Sequence, residues 1–175
     1  PTVKRENAEI YYEVHGEGTP IAFAHGAGGN TLIWWQQIPF FACNHKVIVF
    51  DHRGFGRSRC KAKGNMALHF ADDLKAVLDD AGVDRTALIC QSMGGWTGMQ
   101  FTLQHPDRVS CLVLSGTPGG VRTPELVAAQ EARRRQRTID ENQKKKWNDA
   151  HWALASEAFD RASEIAFLYG QMSAL

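Results

Sequence analysis

A serine stands between an apolar, strand-like run and a small-residue entry to a helix in the segment ALICQSMGGW, residues 87–96. A strand-to-helix turn this sharp lifts the Ser92 hydroxyl clear of its neighbours and aims the first helical N–H groups at the same place. Small residues are needed on both sides because the two backbones nearly touch. The segment predicts a nucleophile elbow, although the G-x-S-x-G pattern has glycine where this chain has Cys90. Without context, the same letters also fit an ordinary strand end or helix start.

Two apolar runs upstream of the serine also end in glycine-rich loops. The first reads IAFAHGAGGN over residues 21–30, and the second reads VIVFDHRGFGRS over residues 47–58. A His-Gly-x-Gly loop, then Asp-x-Arg-Gly-x-Gly-x-Ser, then the elbow together resemble the α/β-hydrolase family. The resemblance covers almost the whole chain, and its motifs lie between Ile10 and Pro118.

The spacing of apolar residues predicts an α/β fold built on a mostly parallel sheet with helices on both faces, because strand-like runs alternate with helical segments. Predicted strands cover residues 10–15, 20–25 and 109–115, and a helix over residues 70–81 ends at Gly82. Beyond Gly120 the composition shifts toward charge and helix formers. We therefore expect an N-terminal hydrolase core over residues 1–120 and a helical cap or lid segment over residues 121–175.

The resemblance implies roles for particular residues. Ser92 would be the nucleophile, and the backbone N–H groups of Ala27 and Met93 would form the oxyanion hole. Their side chains matter little, since the backbone supplies the donors. The residues expected to shape the site are His25, Gly26 and Gln91. No metal-binding or cofactor-binding residue is implied.

Several other polar residues near these motifs are interpreted as structural. His25 lies beside the site, but the resemblance gives the loop histidine the task of shaping its turn rather than acting as a base. Asp51 and Arg53 are interpreted as a loop-stabilising pair. His52 and His151 could approach Ser92 only after a rearrangement that the sequence does not indicate.

The family order continues with an acid after a later strand and a histidine near the C-terminus, and no segment of this chain matches either position. The expected fold is therefore truncated before its last strands. Three explanations stay open: a fragment of a longer enzyme, a short chain that completes its sheet and site with another chain, or a shortened fold without full activity. A serine without a base in hydrogen-bond reach is a poor nucleophile, so the explanations differ in expected activity.

The leading functional prediction is hydrolysis of a carboxylic ester or lactone, a small-molecule substrate, through an acyl-serine intermediate. A C–C bond hydrolase of the same fold is the first alternative, because the same motifs suit it. Serine at position 92 argues against the haloalkane dehalogenase and epoxide hydrolase relatives, which use aspartate there. The second alternative is a catalytically incomplete binding or assembly protein, including a homo-oligomer built on the sheet edge after residues 111–115.

Composition adds limits to these predictions. Hydrophobic residues make up 43% and charged residues 22% of the chain, and the net charge is +1, which gives no drive toward nucleic acid or membranes. No apolar run approaches the roughly 20 residues of a membrane span. An N-terminal proline fits removal of an initiator methionine, so a cytoplasmic location is expected. The four cysteines have no metal-site spacing, and two of them, Cys90 and Cys111, fall in apparent buried strands, so they are predicted to pack as small hydrophobes.

Overall fold

The computed structural model describes residues 1–61, 66–143 and 162–173. The chain divides into two compact units, one made of Pro1–Gly120 with Met172–Leu175 and the other of Val121–Gln171. The first unit contains all the motifs identified above.

Seven strands in the described residues form one sheet in the order β1-β2-β4-β3-β6-β7, with β5 paired to β2. The strands are β1 (Thr2–Arg5), β2 (Ala8–His15), β3 (Thr19–Ala24), β4 (His45–Phe50), β5 (Arg59–Cys60), β6 (Thr86–Gln91) and β7 (Val109–Ser115). The α-helices that the structure describes between Pro1 and Gly120 are α1 (Gln37–Ala42), α2 (Phe70–Asp80) and α3 (Gly94–Gln104), and three short 3-10 turns accompany them. Strands β1, β2 and β5 pair antiparallel, whereas β4, β3, β6 and β7 run parallel.

The strand order reverses beside β3. The chain passes from β3 to β4 on one side and then returns to place β6 on the other side of β3. In open parallel sheets, ligands bind outside the carboxyl ends of the strands where the order reverses in this way. Ala24 and Cys90 are register partners on β3 and β6, so the loops that follow these two strands emerge side by side.

Alternating residues of the central strands bury apolar side chains on both faces of the sheet. On one face, Ala22 and Ile48 pack with Leu74 and Leu78 of α2. On the other, Phe23 packs with Trp34 and the residues of α1. The expected mostly parallel sheet with helices on both faces is confirmed.

Strand β7 is the exception to this burial. It pairs with β6 on one side, and no strand in the described part of the chain pairs with its other side. Cys111 and Val113 are exposed, Val113 to 45%. The expectation that Cys111 packs inside a buried strand was therefore wrong: a residue on an edge strand without a covering layer faces outward, whereas Cys90 on β6 is fully buried.

The second unit contains α4 (Pro124–Gln143) and most of a further helix, α5 (Ser163–Ser173). The Thr123 hydroxyl accepts the Leu126 N–H at 3.3 Å and so caps the start of α4. The predicted cap also includes residues 144–161 and 174–175, which lie outside the described residues. Among the helices that the structure describes, none combines the length and apolar character that a bilayer crossing requires.

Candidate functional site

Ser92 lies in a sharp turn between β6 and α3. Its φ is +51°, and only one other non-glycine residue of the described chain, Asn7, has a positive φ. The Ser92 N–H donates to the carbonyl oxygen of Ser115 on β7 at 2.9 Å, and the Ser92 carbonyl accepts the Gly95 N–H at 3.0 Å. A left-handed serine costs about 1–3 kcal/mol, so the surrounding structure must hold it in place.

Helix α3 begins in direct contact with the backbone of β3. A Cβ atom at Gly94 would lie 2.2 Å from the carbonyl oxygen of Ala24, so only glycine fits there. One turn later, a Cβ atom at Gly98 would lie 2.4 Å from Cys90 Sγ. Gly98 therefore supplies the space for the Cys90 side chain, which stands where the usual pattern has glycine.

The glycine-rich loop after β3 lies beside Ser92. A Cβ atom at Gly26 would approach Ser92 Cβ to 3.0 Å and Gln91 Oε1 to 2.3 Å. The loop turns at once, since the Gly29 N–H donates to the Gly26 carbonyl at 3.1 Å. Gly26, Gln91 and Ser92, which the sequence analysis placed together, are neighbours in the structure.

Two backbone N–H groups belong to the segments that meet at the serine, the loop after β3 and the start of α3. In residues 1–61, 66–143 and 162–173, neither the Ala27 N–H nor the Met93 N–H has a hydrogen-bond acceptor. Ala27 follows the loop glycine that touches Ser92, and Met93 leads into α3 with helical dihedral angles. Donors without an acceptor beside a serine hydroxyl can receive charge that develops on an attacked carbonyl oxygen.

His25 is fully buried, and both of its ring nitrogens have partners. Nδ1 lies 2.7 Å from the Gly26 carbonyl oxygen, and Nε2 accepts the His52 N–H at 3.0 Å. Burial lowers the pKa of His25 below its usual range, with the Gly26 carbonyl and Asp51 opposing the shift. In this arrangement neither nitrogen is available to take a proton from Ser92.

His52 lies in the interior as well, between His25 and α3. Its Nδ1 is 3.1 Å from His25 Nε2, and its Nε2 is 2.7 Å from the Thr97 hydroxyl oxygen. Burial, helped by the neighbouring His25, lowers the pKa of His52 well below its usual range. The other histidine considered as a base, His151, lies outside the described residues.

Asp51 and Arg53 do not form a pair with each other, which corrects the interpretation made from the sequence. Asp51 accepts the backbone N–H groups of Thr31 at 2.6 Å and Arg57 at 2.8 Å. Arg53 makes a bidentate contact with Asp73 on α2, at 2.6 and 2.5 Å. Both side chains hold loops, but Arg53 points back to a helix because the chain turns away immediately after β4.

Cys90 is a packing residue by its surroundings. Its side chain has no exposed surface, and burial raises the pKa of its thiol to about 12, partly offset by a hydrogen bond to the Gly98 backbone. A thiol reacts through its thiolate, so Cys90 stays inert at neutral pH. Within the described part of the chain, no group of three or more metal-ligating side chains converges.

Sequence reasoning did not single out three residues that make structural contacts: Thr97 and Ser115 at the elbow, and Asp73, which binds Arg53. Thr97 meets His52 only because α3 folds back across the sheet. The sequence did contain one signal for this contact: Thr97 is a polar residue on the buried side of a helix that is otherwise apolar and rich in glycine. A buried hydroxyl requires a hydrogen-bond partner.

Comparison with known proteins adds to this geometry. The sequence profile of the alpha/beta hydrolase fold family matches residues 19–163, which is most of the chain. The chain belongs to the α/β-hydrolase family.

Individual α/β-hydrolase relatives differ in chemistry. One is "Putative carbamate hydrolase RutD" from Azorhizobium caulinodans, 40% identical over 108 residues, which cover 62% of this chain and 41% of the relative. Another is a 2-hydroxy-6-oxo-6-phenylhexa-2,4-dienoate hydrolase from Comamonas testosteroni, 32% identical over 64% of this chain and 41% of that protein. A solved structure, described as Est816, an N-acyl homoserine lactone degrading enzyme, is 35% identical with a TM-score of 0.71 and covers all of this chain.

This α/β-hydrolase chain is shorter than its relatives. It spans about two fifths of the curated relatives it matches, at 41% of their length, and 66% of the Est816 chain. The part shared with the curated relatives corresponds in length to the core that carries the elbow and the glycine-rich loops.

Proposed function

We propose that the chain carries the nucleophile and the oxyanion hole of a serine hydrolase that acts on a carboxylic ester or lactone. The observation that carries the proposal is the left-handed backbone of Ser92, φ +51°, in a turn whose adjoining segments contain the Ala27 and Met93 N–H groups, which have no acceptor in the described structure. Similarity to a structure described as a lactone-degrading enzyme supports the same substrate class.

The proposed reaction has two steps. The Ser92 Oγ attacks the carbonyl carbon while its proton passes to a base, and the N–H groups of Ala27 and Met93 receive the charge on the carbonyl oxygen. The bond between the carbonyl carbon and the alcohol oxygen breaks, and the alcohol takes the proton. In a lactone, that alcohol stays attached to the acyl group. Water then hydrolyses the acyl-Ser92 ester and releases the acid.

The base and the orienting acid are not assigned to residues of this chain. His25 and His52 have both ring nitrogens engaged, and the spacing of the sequence offers no match to the later triad positions. In the proposal, these two groups come from a further segment of the protein or from another chain. Loss of a triad member removes most of the rate in related chemistry, so activity depends on that completion.

A fluorophosphonate probe tests the proposal directly. Attack by the Ser92 Oγ on phosphorus expels fluoride and adds the phosphonyl group to the protein mass. With the segment or chain that supplies the base present, we expect an adduct on the wild type and on Ser110→Ala, an exposed serine of β7, and none on Ser92→Ala. An adduct that persists in Ser92→Ala, or an unlabelled wild type, would refute a reactive Ser92 in this chain.

C–C bond hydrolysis is the second candidate, favoured by the similarity to the Comamonas testosteroni hydrolase. It would use the same serine and oxyanion donors but break a carbon–carbon bond beside a ketone. Turnover of a vinylogous diketone monitored by its loss of visible absorbance, beside turnover of a lactone, separates the two candidates.

An assembly role is favoured by one observation, the uncovered edge of β7. Exposed Val113 and the backbone edge of this strand, which pairs with no strand among the described residues, offer a site for a second copy of the chain. Sedimentation velocity over a range of protein concentrations tests this candidate. A concentration-dependent size that Val113→Lys abolishes would support it, and a monomer at all concentrations would exclude it.

A further inference from the structure

Three buried side chains form a continuous hydrogen-bonded path from α3 to the loop beside Ser92. Thr97 contacts His52, His52 contacts His25, and His25 contacts the Gly26 carbonyl oxygen, at 2.7, 3.1 and 2.7 Å. None of the three side chains is more than 1% exposed. The proposed mechanism gives this path no chemical step, although two buried histidines in contact are costly unless their hydrogen bonds are satisfied.

The hydrogen atoms along the path have only one consistent direction. A carbonyl oxygen only accepts, so His25 Nδ1 carries a hydrogen, and the Nε2 of the neutral ring accepts. That Nε2 also accepts the His52 backbone N–H at 3.0 Å, and His52 Nδ1, 3.1 Å away, must carry a hydrogen that shares the same lone pair, because two lone pairs would repel. His52 Nε2 is then left as an acceptor for the Thr97 hydroxyl. Donation runs from Thr97 through His52 and His25 to the Gly26 carbonyl.

The end of the path fixes one peptide plane. The Gly26 carbonyl oxygen receives the His25 Nδ1–H and the Gly29 N–H at 2.7 and 3.1 Å. A trans peptide is planar and carries its N–H on the side opposite its C=O. Holding the Gly26 carbonyl therefore holds the Ala27 N–H pointing away from the histidines, in a loop whose Gly26 abuts Ser92.

We propose that Thr97 and His52 are positioning residues that, through His25, set the direction of the Ala27 N–H toward a carbonyl attacked by Ser92. The inference rests on the proposed function in assigning the use of that N–H. Neither Thr97 nor His52 touches substrate; both act on the geometry of the loop.

Two substitutions at Thr97 separate hydrogen bonding from packing. Thr97→Val keeps the branched shape but has no hydroxyl to donate, whereas Thr97→Ser keeps the hydroxyl and loses a methyl group. Loss of a whole oxyanion donor costs about 10²–10³ in rate, so misdirection of one should cost about tenfold. We expect Thr97→Val to slow fluorophosphonate labelling of Ser92 about tenfold at unchanged reversible affinity for the probe, and Thr97→Ser to stay within about twofold of wild type.

A second pair of variants guards against a folding defect. His52→Asn can still donate to His25 from the Nδ1 position, and His52→Leu cannot. We expect the labelling rate of His52→Asn to exceed that of His52→Leu, with both variants compared at equal folded fraction.

The amide resonance of Ala27 in a ¹H–¹⁵N spectrum reports on the loop whether or not Ser92 reacts. We expect it to move in Thr97→Val and to stay near the wild-type position in Thr97→Ser. Equal effects of the two substitutions on labelling and on this resonance would overturn the inference, because packing alone would then explain them. A wild type that resists the probe with the base-supplying segment or chain present refutes the proposed function, while the Ala27 resonance still decides whether Thr97 orients the loop.

Discussion

Ser92 adopts a backbone conformation that most side chains avoid, and its immediate neighbours supply the restraint. The Ser115 carbonyl of β7 binds its N–H, and the missing side chain of Gly94 lets α3 start against the backbone of β3. The strain at one residue is thus carried by the two strands that flank β6. At this scale the critical property of each neighbour is its size or a single backbone hydrogen bond.

Gly94→Ala tests this close approach. The added Cβ would lie 2.2 Å from the Ala24 carbonyl oxygen, so backbone must shift. We expect a loss of about 3 kcal/mol in the free energy of unfolding, as for other overpacked sites, together with loss of probe labelling at Ser92. Urea unfolding measures the first effect. Gln104→Ala, exposed on the same helix, should leave both unchanged; a stable, labelled Gly94→Ala would contradict the close approach.

Cysteine alkylation tests the assignment of Cys90 as a packing residue. Burial raises the pKa of its thiol to about 12, whereas an ordinary cysteine has a pKa near 8.5. At pH 9 the exposed Cys43 and Cys111 should react with iodoacetamide, and Cys90 should react only after unfolding. Peptide mapping by mass spectrometry gives the order of reaction. Early modification of Cys90 in the folded protein would contradict its burial.

Between elements, the loop after β4 is fixed to α2 by a buried ion pair. The side chains of Arg53 and Asp73 are 4% and 2% exposed, and Asp73 also receives Arg5 Nε at 3.4 Å. The Asp73 carboxylate raises the pKa of Arg53, which stays charged. Removing one partner would leave an uncompensated charge in a buried site. The free-energy cost of that charge exceeds what the intact pair contributes to stability.

Asp73→Asn should therefore lower the free energy of unfolding by about 3–5 kcal/mol. Lys75→Ala, which breaks an exposed pair with Asp79 on the same helix, should cost less than about 1 kcal/mol. Chemical denaturation of both variants gives the comparison. Similar losses from the two would mean that burial does not distinguish these pairs.

Local sequence patterns were sufficient to predict the elements that have strong hydrophobic periodicity or end at a glycine. The strand predicted over residues 109–115 coincides with β7, and the predicted helix over residues 70–81 extends one residue beyond α2. Strand β5 has only two residues, which is too short for hydrophobic periodicity, and its pairing with β2 forms between segments far apart in the sequence. The Arg53–Asp73 pair and the Thr97–His52 contact join positions far apart in the chain. Spacing along one sequence does not report which of several polar residues will meet.

For the whole molecule, the two buried histidines predict acid sensitivity. Burial lowers the pKa of both His25 and His52, while the unfolded chain has histidine pKa values near 6.5. Below that pH the unfolded state binds protons that the folded state does not bind, so the free energy of unfolding falls as the pH drops. Each such proton contributes a slope of about 1.4 kcal/mol per pH unit. Asp51 opposes the shift at His25.

We expect the free energy of unfolding to rise with pH when it is measured by urea denaturation at about pH 5, 5.75, 6.5 and 7.5. Glu13 and Asp79 have pKa values lowered from the ordinary 4.5 and 3.8, so their contribution to stability is lost only below this pH window. His52→Gln should flatten the slope whatever its effect on stability at neutral pH. An unchanged slope in that variant would show that His52 does not provide the acid sensitivity.

The register between β3 and β6 joins Ile21 to Ala87, and β7 adds the bond that holds Ser92 from its other side. Segments distant in sequence must therefore assemble before the serine acquires its geometry, and contacts of this kind form slowly during folding. The time at which Ser92 becomes reactive would then report when these distant segments have assembled around it. In a refolding time course, labelling of the serine should lag behind the recovery of helical circular dichroism.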